Sequence, residues 1–189
     1  MPSDALYNDI DFEYSVSDSL KNSLAPVFHV HKDLEPVQSF YTIGIKPKQL
    51  PEKWRDKTLI VSLSGKVRTS QGGEWDNAFG GIKTQTKTFG NFTLAIDTTA
   101  PVIVPINKFA NKNCKAYKFL RFKMYDTLSG IKSFRGTIDG KWVLMQYDAK
   151  FNLLYYVFDE KVKSGKHEFK IIVEDKKGNT KTFACNFLR

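Results

Sequence analysis

The sequence is short of the residues that most often carry chemistry. It has 2 cysteines and 3 histidines in 189 residues. Cys114 and Cys185 are too few for a disulfide framework, and their spacing does not fit a zinc site. One bridge between them would need the first and last strands of the second half to lie side by side; two reduced thiols are the simpler expectation. No run approaches the roughly 18 consecutive apolar residues of a helical membrane span. The opening Met1-Pro2-Ser3-Asp4 has no basic region followed by an apolar stretch, so it does not read as an export signal. A Gly-x-Ser-x-Gly elbow, a phosphate loop and a dinucleotide fingerprint are all missing, and Gly72-Gly73 and Gly80-Gly81 precede no helical pattern. Neither cysteine has a recognisable base beside it.

What is present is apolar and aromatic mass in strand-like runs. Hydrophobic residues make up 41% and aromatic residues 14% of the chain, enough to build packed cores and to exclude a disordered chain. The stretch Asp97-Thr98-Thr99-Ala100-Pro101-Val102-Ile103 divides two sets of such runs. It has no glycine or serine and Pro101 fixes one backbone angle, so it should act as a short stiff joint. Charge changes there as well. Up to Ile96 there are 11 basic and 11 acidic residues, whereas from Asp97 onward there are 18 basic and 9 acidic. A basic unit beside a neutral one suggests an anionic neighbour, although a solvated basic surface has the same composition. The expected domains are therefore 1–97 and 98–189.

Before the joint, strands are expected over Ile10–Tyr14, Val27–His31, Phe40–Ile45, Thr58–Leu63, Ile82–Thr86 and Asn91–Ile96. In the first of these, Ile10, Phe12 and Tyr14 should share a face. Leu50–Arg55 is the best candidate for a helical turn, and Ser70–Gly81, with four glycines, reads as loop. After the joint, Val102–Ile106 is bounded by prolines like an edge strand. Lys118–Met124 places Leu120, Phe122 and Met124 on one face. Ile131–Ile138 and Lys141–Gln146 flank Asp139-Gly140, a strong hairpin signal. Asn152–Phe158, Glu168–Glu174 and Thr180–Leu188 complete about seven short strands with frequent turns. The fold class expected is all-β: two tandem immunoglobulin-like β-sandwich domains. The Cys-Trp-Cys arrangement of antibody domains is absent, so the likeness is to the architecture.

Few residues stand out as site candidates. His29-Val30-His31 would present two imidazoles on one strand face, but zinc needs a third ligand, which would have to be a carboxylate such as Asp33 or the distant His167, and nothing fixes either one there. Two polar side chains on a solvent-facing strand edge is the plainer reading. Asp97, Asp126 and Asp175 are turn carboxylates of the sort that hold calcium, with no spacing motif to demand an ion. No catalytic residue, metal ligand or cofactor is assigned. If Leu120, Phe122 and Met124 face inward, then Phe119, Arg121, Lys123 and Tyr125 face out. Aromatic and basic side chains side by side can stack on sugars while meeting carboxylate or phosphate, so these four are the candidate polymer-binding residues. Packing against a neighbouring domain would use the same face.

One series of motifs resembles a known family. It runs Gly72-Gly73-Glu74-Trp75, Lys83–Phe92, Asp97–Pro101, Asp126–Ile131, Ile138–Val143 and Asp175-Lys176-Lys177-Gly178-Asn179. In this order it resembles the region that follows the catalytic domain in lysostaphin-type zinc murein endopeptidases of Gram-negative bacteria. The similarity runs from about Tyr7 to the end, and the second half also resembles bacterial immunoglobulin-like domains in general. The resemblance implies a non-catalytic accessory region of an exported cell-wall metallopeptidase, located in the periplasm or cell envelope. Its implied partners are the catalytic domain of the same parent chain and peptidoglycan or another anionic envelope polymer; no nucleic acid is expected. That family holds zinc through a His-x-x-x-Asp motif and the second His of His-x-His. No histidine precedes His29, so the first motif is missing and no ligand role is transferred. The alternative is a stand-alone carbohydrate- or protein-binding adhesion module.

Overall fold

The computed structural model describes residues 5–18 and 23–189. Chain contacts divide it into two compact units, Met1–Thr98 and Thr99–Arg189. No helix among the described residues is long and apolar enough to cross a membrane. Each unit is a pair of antiparallel sheets, so the all-β tandem-sandwich expectation holds.

The first unit opens with β1 (Tyr14–Ser17), β2 (Val27–Val30) and β3 (Pro36–Ile45), then a 3-10 turn over Glu52–Trp54. β4 (Thr58–Ser64), β5 (Val67–Gly72), β6 (Glu74–Asp76), β7 (Gly81–Thr88) and β8 (Gly90–Ile96) follow. One sheet has the order β1-β2-β8-β4-β5 and the other β3-β7-β6. Ile60, Phe92 and Leu94 from the larger sheet meet Ile45 and Ile82 from the smaller, all nearly or fully buried. Tyr41, Val37 and Phe89 form a smaller cluster, where Tyr41 Oη donates to the Thr88 carbonyl at 2.9 Å. Burial pushes that phenol up to about 12.

Two expectations fail in this unit. The strand expected at Ile10 begins only at Tyr14, and Phe12 and Tyr14 are more than half exposed. Alternation alone did not reveal that the ladder with β2 starts only at Tyr14, opposite Val30. The supposed loop Ser70–Gly81 is mostly strand. Gly72 and Gly73, with φ of 72° and 111°, turn the chain out of β5 and into β6, which belongs to the other sheet. Only glycine adopts the second of these angles without strain.

The second unit contains β9 (Val102–Pro105), β10 (Phe119–Tyr125), β11 (Ile131–Ile138), β12 (Lys141–Val143) and β13 (Met145–Asp148). β14 (Leu153–Val157), β15 (Lys166–Asp175) and β16 (Thr180–Leu188) complete it. The sheet β13-β14-β10-β9 packs its apolar face on the sheet β12-β11-β15-β16. β9 is an edge strand, as its flanking prolines require. Leu120, Phe122 and Met124 from β10 and Phe169, Ile171 and Val173 from β15 are all fully buried. The run expected as one strand over Lys141–Gln146 is broken at Leu144: β12 pairs with β11, while β13 crosses to pair with β14.

Candidate functional site

β10 sets out the face anticipated from its alternation: Phe119, Arg121 and Lys123 are exposed and Tyr125 is half-buried, while the residues between them are buried. Antiparallel pairing places Tyr155 of β14 opposite Arg121 and Val157 opposite Phe119. The Phe119 ring meets Tyr155 edge-on with centroids 6.1 Å apart. Tyr155 Oη donates to Gln146 Oε1 at 2.6 Å, and Lys123 Nζ donates to the Phe151 carbonyl at 2.9 Å. The candidate residues thus belong to a wider outward surface that continues across β14 to β13.

That surface runs into a groove of about 540 Å³ whose lining includes Gln146, Val157, Trp142, Leu144, Lys141 and Asp159. Trp142 and Leu144 are 56% and 64% exposed, a large apolar area to leave in water. Sequence reading did not single out this groove; an isolated Trp after Asp139-Gly140 was its one visible signal.

At the groove's other end, Asp139 and Gly140 have φ of 50° and 74°, the pair of positive angles a tight β11–β12 hairpin needs. Asp139 Oδ1 accepts the Glu168 amide at 2.9 Å, and Oδ2 lies 2.7 Å from His167 Nδ1. His167 Nε2 lies 2.8 Å from the Lys163 carbonyl. Both neighbours of the ring are acceptors, so the imidazolium, which donates from both nitrogens, satisfies the site best. Burial opposes the charge, but the bonds to Asp139 and Lys163 outweigh it and raise the His167 pKa. For Asp139 burial likewise opposes the charge, and His167 and the Glu168 amide turn the balance to a lowered value.

A raised His167 pKa adds stability that is complete below the unfolded value of about 6.5 and is lost as pH rises through the folded value. The lowered Asp139 pKa adds stability above its unfolded value that is lost in acid. The second unit should therefore melt at a lower temperature as pH rises from about 6 to 8, and His167→Gln should flatten that slope. Asp139 is 48% exposed, so solvent screening keeps the loss below about 1 kcal/mol. Thermal melts across that pH range check it; identical slopes in both proteins would refute the pairing.

The remaining candidates are arranged differently from the expectation. His29 bonds to Asn91 Oδ1 at 2.6 Å and Ser17 Oγ at 2.9 Å, between its strand neighbours. His31 leaves the strand with φ of 53° and packs its ring on Phe12 and Phe89. The pair is therefore neither one ligand face nor a simple solvent edge. Cys114 and Cys185 are both reduced. Burial raises the pKa of Cys114 and pushes Cys185 up to about 11, so neither is a thiolate nucleophile at neutral pH. Of the turn aspartates considered for calcium, Asp97 belongs to the first unit, and Asp126 and Asp175 belong to the second, where each carboxylate accepts amides of its own turn.

Paired antiparallel sheets define the class: an all-β protein of two tandem immunoglobulin-like β-sandwich domains. Residues 1–97 match the Zu5-like domain, and the chain belongs to that family. Among solved structures it is similar to a chain of the Clostridium thermocellum CbhA fibronectin(III)-like modules. That likeness has 12% identity and a TM-score of 0.36, and covers 79% of this chain and 85% of that one. No curated protein matches the sequence.

Proposed function

We propose that this chain is the non-catalytic accessory region of an exported cell-wall metallopeptidase, acting in the periplasm or cell envelope. It positions the catalytic domain of its parent chain and holds it near anionic polymer such as peptidoglycan. The ordered series of motifs from Gly72 to Asn179 carries the link to the peptidase. The surface of Phe119, Arg121, Lys123 and Tyr125, extended through Tyr155 to Gln146, supports the polymer contact, because it joins stacking rings to fixed positive charge.

Two measurements test this. The reading frame upstream of Met1 should encode a domain with His-x-x-x-Asp and His-x-His motifs; without one, the peptidase link fails. Purified peptidoglycan should retain the protein at low ionic strength and release it as salt rises. The double variant Arg121→Glu, Lys123→Glu should weaken retention severalfold, since reversed charges at a contact repel as strongly as the originals attract. Retention unchanged by the double variant would remove the β10 face from the contact.

The exposed Trp142 favours a second reading, a stand-alone carbohydrate- or protein-binding adhesion module, because an open indole beside polar groups suits a sugar ring. In the same pull-down, Trp142→Ala would then abolish retention while the charge reversal leaves it intact.

A further inference from the structure

We infer that the end of the second unit carrying the β11–β12 hairpin binds an anionic oligosaccharide; this rests on the polymer contact proposed above and not on the peptidase link. Two concavities open there and share one wall. The Trp142 groove, of about 540 Å³, and a second basin of about 560 Å³ lined by Asn111, Lys112, Lys166, Asn186 and Phe187 both include His167 in their lining.

Both are preformed. The His167 ring is held between Asp139 and the Lys163 carbonyl and stacks on Phe187 with centroids 5.4 Å apart. The loop over 111–114 is bonded to the edge strand β16. The Asn111 amide donates to the Asn186 carbonyl at 2.6 Å, the Cys114 amide to the Leu188 carbonyl at 2.7 Å, and the Leu188 amide to the Lys112 carbonyl at 2.9 Å. A ligand therefore has little to order when it arrives, which spares affinity.

Three features select the ligand. Trp142 and Leu144 leave a large apolar area in water, and an open indole suits the C–H face of a pyranose. Among the described residues, no hydrogen bond engages the side-chain amides of Asn111 and Asn186. An amide offers donors and an acceptor together, so it can meet a sugar hydroxyl in either sense. Charge is the third feature. Among the described residues, Lys112 and Lys166 of the basin and Lys141 and Lys161 of the groove have no carboxylate at ion-pair distance. Against these four stand Glu168 and Asp159, since Asp139 is already paired with His167. The surplus is positive and complements an anion. An extended peptide would need a free strand edge to pair with, and the loop already occupies that of β16 at this end. An oligosaccharide needs none.

Isothermal titration calorimetry of the whole chain with tetragalacturonic acid tests the site. Cellotetraose supplies rings without charge and tetraglutamate supplies charge without rings; each should bind about tenfold more weakly. Trp142→Ala should cost the acidic tetramer roughly tenfold, and Trp142→Phe, which keeps a stacking ring, much less. Lys112→Ala with Lys166→Ala should cost about tenfold and remove much of the salt dependence. These three side chains are exposed, so the variants should melt with wild type. Arg121→Glu with Lys123→Glu, on the β10 face, should leave the affinity within about twofold. Cellotetraose binding as tightly would overturn the choice of an anion, and tetraglutamate binding as tightly the choice of a sugar. Full affinity in Trp142→Ala or in the lysine variant would overturn the site, as would a large loss in the β10 variant. No tetramer binding while peptidoglycan still retains the protein overturns this site alone; loss of both overturns the polymer contact with it.

Discussion

Phe122→Ala should cost the second unit about 4 kcal/mol, a large share of the stability of a domain this size. Phe122 is fully buried on the inward face of β10, between Leu120 and Met124. Its ring stacks on Phe169 with centroids 5.2 Å apart and 20° between planes, and meets Phe109 and Phe183 edge-on at 5.3 Å and 5.7 Å. Truncation removes a large apolar area and three ring contacts together. The space left cannot easily close. Phe169 and Phe183 are fixed by the β15–β16 pairing, and Phe109 lies in the segment ahead of β10. No rotamer change moves a strand, so the cavity remains and adds its own cost. Phe122→Leu, which keeps most of the volume, should lose only about 1.5 kcal/mol. Denaturant unfolding followed by near-ultraviolet circular dichroism measures both. The cores of the first unit share no residue with this one, so its transition should stay in place. A loss below about 1 kcal/mol for Phe122→Ala would mean the aromatic cluster repacks freely.

Which features were visible beforehand follows from the range of the forces that set them. The alternation of β10 is local: apolar residues two apart must share a face, and Leu120, Phe122 and Met124 do. The hairpin at Asp139-Gly140 is local too, because two adjacent positive φ angles select those residues. Sheet membership is not local. Nothing in Trp142-Val143-Leu144-Met145 says that the first part pairs with β11 and the last with β14, so the exposed Trp142 groove was illegible. Gly72-Gly73 looked like loop because its composition records a permitted angle, and a turn between sheets uses that angle as readily as a loop does. Spacing misled at His29 and His31, since the two-residue rule holds only while the strand continues, and His31 has already left it. The turn aspartates were legible for the same local reason, since the carboxylates of Asp126 and Asp175 accept amides of their own turns. Asp139 and His167 meet across 28 positions, and their pairing left no mark in the sequence.

Gly81→Ala should destabilise the first unit by about 3 kcal/mol although it adds only a methyl group. A Cβ at Gly81 would lie 2.6 Å from the Ile45 carbonyl oxygen and 2.9 Å from Phe79 Cε1. The carbonyl belongs to β3, which pairs with β7 through Ile45 and Ile82, so backbone would have to yield. Ile45 and Ile82 are also core residues, and moving one strand away opens that core. The Phe79 ring is also crowded, although a ring can still tilt. It lies over Gly44 as well, where a Cβ would meet it at 2.9 Å, and the ammonium groups of Lys46 and Lys83 sit 4.9 Å and 5.0 Å from its centroid. Lys83 is held in turn by Asp76 at 2.8 Å, whose other carboxylate oxygen accepts the Phe79 amide. Two glycines on paired strands therefore make the flat seat on which this ring rests. At Gly44 a Cβ meets only side chains, the ring and, at 3.4 Å, Lys83 Cγ, so Gly44→Ala should cost about 1 kcal/mol, because a side chain can tilt where a strand cannot. Denaturant titration of the two variants measures the difference. Equal losses would show that the ring, rather than the Ile45 carbonyl, sets the limit at Gly81.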